Sequence, residues 1–347
     1  MPTLWFILVA FMLTMYVLLD GFDLGAGIIH PFVARTDTER RLNLRAIGPV
    51  WDGNEVWLIA AGGTLFFTFP LLYASSFSGF YLPLIIVLWL LMGRGVAIEL
   101  RSHFSHEVWT SFWDGIFFLS SSLLSIFFGA ALGNVIRGVS LNAQGFFFAP
   151  LWTDFNPLSA NPGILDGYTI LIGVLALTTL LMHGANYIAV KTEDILNERA
   201  RRISLIGWLS TIPLAILASL ATFFVQPQVH ISFTERPWGV IFPLIAFVGL
   251  LGAGFFTIRK RDMPALLSSG AFILGMLASA AFSLYPLVLP ATNRAHSLTI
   301  NNTSASHYGL AFGLIWWSVG IILAAIYFII TYRRFWGKIK LTTGQGY

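Results

Sequence analysis

The stretch IGPVWDGNEVWLIAAGG, residues 47–63, decides how this chain is read. It sets Asp52, Asn54 and Glu55 among tryptophans at the head of a long apolar run. Outward from it the same pattern recurs, long apolar segments bounded by a few basic residues. The 347-residue chain is 56% hydrophobic and 10% charged, with a mean hydropathy of +0.77. Soluble domains are about 45–50% apolar and about 25% charged. So few charges cannot cover a water-facing surface, and the chain reads as an all-α integral membrane protein. It contains no cysteine. That excludes disulfides, thiolate metal sites, iron–sulfur ligation, cysteine nucleophiles and CxxCH haem attachment. The formal charge of +4 would suggest nucleic acid in a soluble protein; here its distribution carries the information, and no nucleic-acid partner is indicated.

A transmembrane helix needs about 20 mostly apolar residues. Runs of that kind fall at roughly 4–33, 49–73, 77–100, 110–135, 163–188, 204–226, 238–258, 264–289 and 308–332, which predicts nine transmembrane helices. The opening MPTLWFILVA has no basic n-region and no small-residue cleavage site, so it reads as a retained first span.

Basic residues set the orientation. Arg35, Arg40, Arg41 and Arg45 follow the first span, and Arg94 and Arg101 end the third. Lys191, Arg199, Arg201 and Arg202 follow the fifth, and Arg259, Lys260 and Arg261 the seventh. Arg333, Arg334, Lys338 and Lys340 follow the ninth. Only Arg137, Arg236 and Arg294 of the 20 Lys and Arg fall on the other side. By the positive-inside rule the N-terminus is outside and the C-terminus inside. The outer loops are longer and less charged. Residues 138–163 are rich in Asn, Pro and aromatics and suit the outer membrane interface, and residues 293–309 form a polar surface loop.

A weak internal repeat aligns LLDGFDLGAG (18–27) with LMHGANYIAV (181–190), matching Asp20 to His183, Gly21 to Gly184 and Asp23 to Asn186. It suggests a single membrane domain, 1–347, built as a four-helix unit over 1–136, a second over 163–289 and a peripheral helix at 308–332.

Ionisable groups inside a bilayer are costly, about 2.5–3.5 kcal/mol each on insertion scales, and default to a functional reading. At about 1.5 Å per residue, Asp52 lies roughly 6 Å and Glu55 roughly 10 Å into the second span. Asp20 and Asp23 occupy the inner half of the first. Asp52 and Glu55, at i and i+3, share a helix face, and Trp57 lies about 140° from Asp52. Asp23, Asp52 and Glu55 therefore suit a proton or cation path from the inner side. Against this, Asp52 in a first turn could simply favour the helix dipole, and acids at span ends can snorkel. Arg94 and Glu99 allow either an inward-facing pair or snorkelling to the inner interface. His183 and His30 are the histidines within spans; packing beside Gly184 competes with a cofactor role for His183, and no pair has metal-ligand spacing. The glycines of GFDLGAGI suit close helix contact rather than a dinucleotide loop. No span shows an evident midplane interruption.

LDGFDLGAGI in the first span, IGPVWDGNEVWLIAAGG in the second, YLPLIIVLWLLMGRGVAIELR in the third and MHGANYIAVKTE after the fifth closely resemble subunit II of the cytochrome bd-type quinol oxidases. The resemblance spans the whole chain. It implies two four-helix bundles plus a peripheral helix, in the cytoplasmic membrane of a bacterium or archaeon. It implies a heterodimer with a haem-bearing subunit I that holds the axial ligands of two haems b and one haem d. It leaves room for a small single-span accessory subunit and for a structural quinone in an apolar groove. The complex would oxidise quinol, reduce dioxygen to water and build a proton gradient without pumping. On this resemblance Asp52 matches the acid on the proton route, Asp23 an acid near its entrance, and Trp57 a position beside the lateral oxygen path; Glu55 belongs to the motif without an assigned role. A proton- or cation-coupled secondary transporter, and a purely structural membrane partner, are the competing readings.

Overall fold

The computed structural model describes residues 1–339, so Lys340 lies outside the described residues. Over these residues the chain folds into α-helices, most joined by short connections, with longer loops at 138–166 and 285–306, the second holding a small antiparallel strand pair, Leu287–Leu289 with Leu298–Thr299. Among the described residues, eight helices are long and apolar enough to cross a membrane. They are α1 (Pro2–Val33), α5 (Tyr81–Leu100), α6 (Glu107–Arg137), α7 (Gly167–Lys191), α8 (Asp194–Val225), α10 (Ile241–Ile258, entered through the 3-10 turn Pro237–Val240), α11 (Asp262–Leu284) and α12 (His307–Arg334).

The segment expected as one span over 49–73 is instead divided into α3 (Trp51–Thr68) and α4 (Pro70–Gly79). Proline lacks an N–H and excludes the preceding residue from helical geometry. Phe69 accordingly leaves the helix, with φ −132° and ψ 65°. An interruption is thus present. It falls at the end of α3 remote from its acids, and α4 there packs under the loop that follows α6: Ser75 Oγ donates to the Gly145 carbonyl, and a Cβ on Gly79 would strike the Phe147 ring. Two further boundaries differ. α8 starts ten residues before the expected apolar run because its first turns are charged and lie at the basic end, and α11 stops at Leu284 rather than 289, just before Pro286.

Two short helices were not expected from hydropathy, α2 (Asp37–Ile47) and α9 (Pro227–Glu235). α2 starts with a reciprocal capping box. Thr36 Oγ1 accepts from the Glu39 N–H at 3.2 Å, and Glu39 Oε2 accepts from the N–H groups of Thr36 at 3.1 Å and Arg35 at 2.6 Å. Arg199 of α8 adds a 2.9 Å ion pair to Glu39. Burial raises the Glu39 pKa, but these donors outweigh it and hold the carboxyl below its ordinary range. Asp37 behaves alike: some burial raises it, and Arg101 and Arg41 pull it below the usual value.

α1 packs against α3, α6, α7 and α11, so it lies at the centre of the molecule. Its contact with α7 is backbone to backbone. A Cβ on Gly25 would run into the Leu180 carbonyl and Gly184, and one on Gly184 into Gly25 and Ala26. The glycines are there because only they permit this approach. α5 packs on α6, α7 on α8, and α10 on α11. α12 contributes no buried residue across its apolar window and leans on α1 and α3 through aromatic contacts, Trp317 with Trp5 and Phe328 with Trp57.

Candidate functional site

Four side chains from three helices meet where α1, α3 and α5 pack together. Arg94 of α5 is fully buried and donates from Nη1 to Asp20 Oδ1 on α1 at 2.6 Å and from Nη2 to Glu55 Oε2 on α3 at 3.0 Å. Asp20 is fully buried as well, while the Glu55 side chain keeps 21% of its exposure. One turn along α1, buried Asp23 accepts from Asn54 Nδ2 at 2.7 Å. Asn54 also donates to the Leu19 carbonyl at 3.3 Å and accepts from the Tyr332 hydroxyl of α12 at 2.9 Å. Three carboxyls therefore face one guanidinium. Within a low-dielectric interior such a charge needs a partner, and breaking a buried pair costs about 3–5 kcal/mol. Asp20 Oδ2 and Asp23 Oδ1 are buried without a protein partner, which leaves each carboxyl one open acceptor position.

The structure joins Glu55 to this cluster and places Asp23 next to it. It does not bring in Asp52, whose side chain is exposed on the outer face of α3. Arg94 adopts neither sequence alternative: it pairs with Asp20 and Glu55 rather than with Glu99, and it does not snorkel. The missing signal was reciprocal need, since a cation buried in one span requires an anion from another. Trp57 lies on a different face from Asp52, as the helix wheel requires. It is 7% exposed, stacks on Phe328 at 5.6 Å and meets Phe11 edge-on at 6.0 Å. It lines an apolar cavity of about 260 Å³ with Met12, Thr64, Trp317, Gly320 and Phe328, between α3 and α12.

A second cluster was missed in the sequence. Asp114 of α6 accepts from His30 Nε2 at 2.7 Å, Arg101 Nε at 2.7 Å and Arg40 Nη1 at 2.9 Å. Asn43 Nδ2 donates to the Ala26 carbonyl at 3.1 Å, which fixes its amide, so its second hydrogen reaches His30 Nδ1 at 2.8 Å. His30 must then carry its proton on Nε2, toward Asp114. A lone acid in the otherwise apolar run SFWDGIFF was the available sign. His183 and Asn186, which the sequence alignment matches to Asp20 and Asp23, lie buried on α7. Both are bonded internally, His183 to Ser269 Oγ at 2.8 Å and the Leu18 carbonyl at 3.0 Å, Asn186 to Ser204 Oγ at 2.6 Å.

Both buried histidines, His30 and His183, have both ring nitrogens engaged within the protein, so neither offers a free nitrogen to a haem iron.

A bundle of long apolar helices with a buried arginine paired to carboxyls from two other helices defines a multi-pass membrane protein. Comparison with known proteins gives that class its name. The family model for cytochrome bd terminal oxidase subunit II matches residues 1–335. A probable cytochrome oxidase subunit 2 from Haemophilus influenzae is 32% identical, over 97% of this chain and 94% of that protein. The cytochrome bd ubiquinol oxidase subunit 2 of Bacillus subtilis is 33% identical, over 88% of this chain and 87% of that protein. A chain of the bd oxidase from Geobacillus thermodenitrificans shares the fold, with a TM-score of 0.75 at 19% identity, covering 96% of this chain and 98% of that one. This chain belongs to the cytochrome bd terminal oxidase subunit II family.

Proposed function

We propose that this chain is the redox-inactive half of a heterodimeric quinol oxidase in the inner membrane, supporting a haem-bearing subunit I and supplying proton and oxygen access to it. The complex oxidises quinol and reduces dioxygen to water, taking protons from the inner side. The haems of the partner supply the electron-transfer and oxygen chemistry; this chain's residues hold and hand on protons. The observation that carries the reading is the cluster of Asp20, Glu55 and Arg94 beside Asp23, three carboxyls against one guanidinium. Arg94 balances one negative charge, so the remaining carboxyls are the groups able to take up and release a proton. Asp52 sits one turn before Glu55, on the face of α3 left exposed, and is positioned to pass a proton across to subunit I. The cavity beside Trp57 is apolar and suits dioxygen arriving from the membrane. The assembly leaves room for a structural quinone in an apolar groove and for a single-span accessory subunit.

In this reading α3 with α4 is the second span and brings the total to nine, the N-terminus is outside, and two four-helix units are flanked by α12. α3 supports this, since 18 residues at about 1.5 Å each cover about 27 Å, close to the bilayer core of about 30 Å. Purification tests the reading. The tagged chain should bring down a haem-bearing partner with a d-type absorption band. A colourless, stable single chain would overturn it in favour of a transporter or a structural protein.

A further inference from the structure

The peripheral helix has one polar contact with the acid cluster. Tyr332 of α12 donates its hydroxyl hydrogen to Asn54 Oδ1 at 2.9 Å, since an amide oxygen can only accept. The two hydrogens on Asn54 Nδ2 are committed, one to Asp23 Oδ2 at 2.7 Å and the other to the Leu19 carbonyl at 3.3 Å. The amide thus has one orientation in which every group is satisfied, and Tyr332 holds its oxygen end. From this geometry we infer that Tyr332 is a positioning residue for the Asp23 carboxyl: it locks Asn54 so that the N–H, and not the carbonyl, faces Asp23. The inference rests on the reading of Asp23 as a proton-carrying group.

The physical consequence is directional. A donated N–H favours the ionised carboxylate, whereas an amide oxygen turned toward it favours the protonated acid. Without the tyrosine hydroxyl, Asn54 Oδ1 is a buried acceptor with no donor, and rotation toward a protonated Asp23 gives it one. The other groups facing Asp23 are Asp20 on its own helix, Glu55 on α3, Arg94 on α5 and Tyr187 on α7. None of them bonds Asn54; its amide is held at the N–H end by the Leu19 carbonyl of α1 and at the oxygen end by Tyr332 of α12. Tyr332 also approaches Phe328, at 6.2 Å; a phenylalanine keeps that ring contact and removes the hydroxyl alone.

The test is the pH profile of quinol oxidation by the assembled oxidase carrying Tyr332→Phe, Asp23→Asn or both. Tyr332→Phe should keep its haem content and move the acid limb of the profile to higher pH by about 0.5–1 unit, as expected for losing a hydrogen bond to a charged group. In the Asp23→Asn background the same change should shift nothing, because the residue it acts through is gone. A Tyr332→Phe profile that superimposes on wild type overturns the inference. So does an equal loss at every pH in both backgrounds, which is a packing defect. An Asp23→Asn oxidase with wild-type turnover and profile removes Asp23 from the proton path, a different failure from either of these. Should Asp23→Asn not assemble, Asn54→Ala takes its place: it must shift the limb in the same direction and at least as far, and an unshifted profile overturns the inference.

Discussion

Asp52 and Arg94 show how far apart two charged residues of one membrane protein can be in circumstance. Arg94 is fully buried and pairs with two acids from two other helices, whereas Asp52 is exposed. An exposed acid on a face that also carries Val56, Ile59 and Phe66 is out of place against lipid and in place against a protein. Asp52→Asn, which keeps shape and removes the charge, should lower quinol oxidase turnover about tenfold or more, the scale of lost proton transfer, with haem content intact. Assays between pH 6 and 8 decide it; unchanged turnover over that range would take Asp52 off the path. Depth along the spans predicts that Asp23, Asp52 and Glu55 lie near one another, and the structure pairs Glu55 with Arg94 and Asp23 with the neighbouring Asn54. Which acids would touch was not legible, because cross-helix pairing depends on the rotation of α1, α3 and α5 about their axes. Asp20 and Glu55 proved to share Arg94, and Asp52 none of it.

Helix ends and crossings were legible where a local motif marked them and obscure where polar turns extend an apolar run. The box T-D-T-E at 36–39 was a written start signal for α2, and hydropathy passed over it because the helix is polar. Its anchorage depends on pH with a definite sign. The Glu39 carboxyl is held below its ordinary value, so its contribution is complete above the usual glutamate range of about 4.3 and is lost as pH falls through the lower folded value. Glu39→Gln should therefore lower the thermal midpoint of the complex at pH 7 by a few degrees, a gap that closes toward pH 3. A gap independent of pH would assign the effect to shape. At the α1–α7 crossing the prediction is steric. Gly184→Leu places a side chain where Gly25 and Ala26 have backbone; the yield of assembled complex should fall to background. A normal yield would mean the helices can separate there without loss.

Eight of the nine apolar runs read from hydropathy became helices long and apolar enough to cross a membrane, and the remaining run became α3 and α4. The exception is instructive. α3 carries Asp52, Asn54 and Glu55 in its first turns and ends before Pro70, and it is not among the helices long and apolar enough to cross a membrane. Its polar start weakens the hydropathy signal for the same reason that it carries the chemistry. The basic residues gather at one end in the structure too, where Arg199–Glu39, Arg101–Asp37 and Arg201–Asp262 link helices distant in sequence. Since the chain has no cysteine, single introduced thiols can report which side that end faces. Thr38→Cys should react with an impermeant maleimide only from the inside, and Ala160→Cys only from the outside. The reverse pattern would invert the topology.

The glycine crossing of α1 and α7 has a mechanical meaning for the molecule. Carriers that expose a site first to one side and then to the other do so by rocking one bundle against its neighbour, and rocking needs helices that slide. Here α1 and α7 meet with Gly25 against the Leu180 carbonyl and Gly184, so a slide would drive one backbone over another. The joint behaves as a weld rather than a hinge. A protein welded through its middle can still serve a traveller that needs no opening, and a proton, passing from one carboxyl to the next while the frame stands still, is such a traveller.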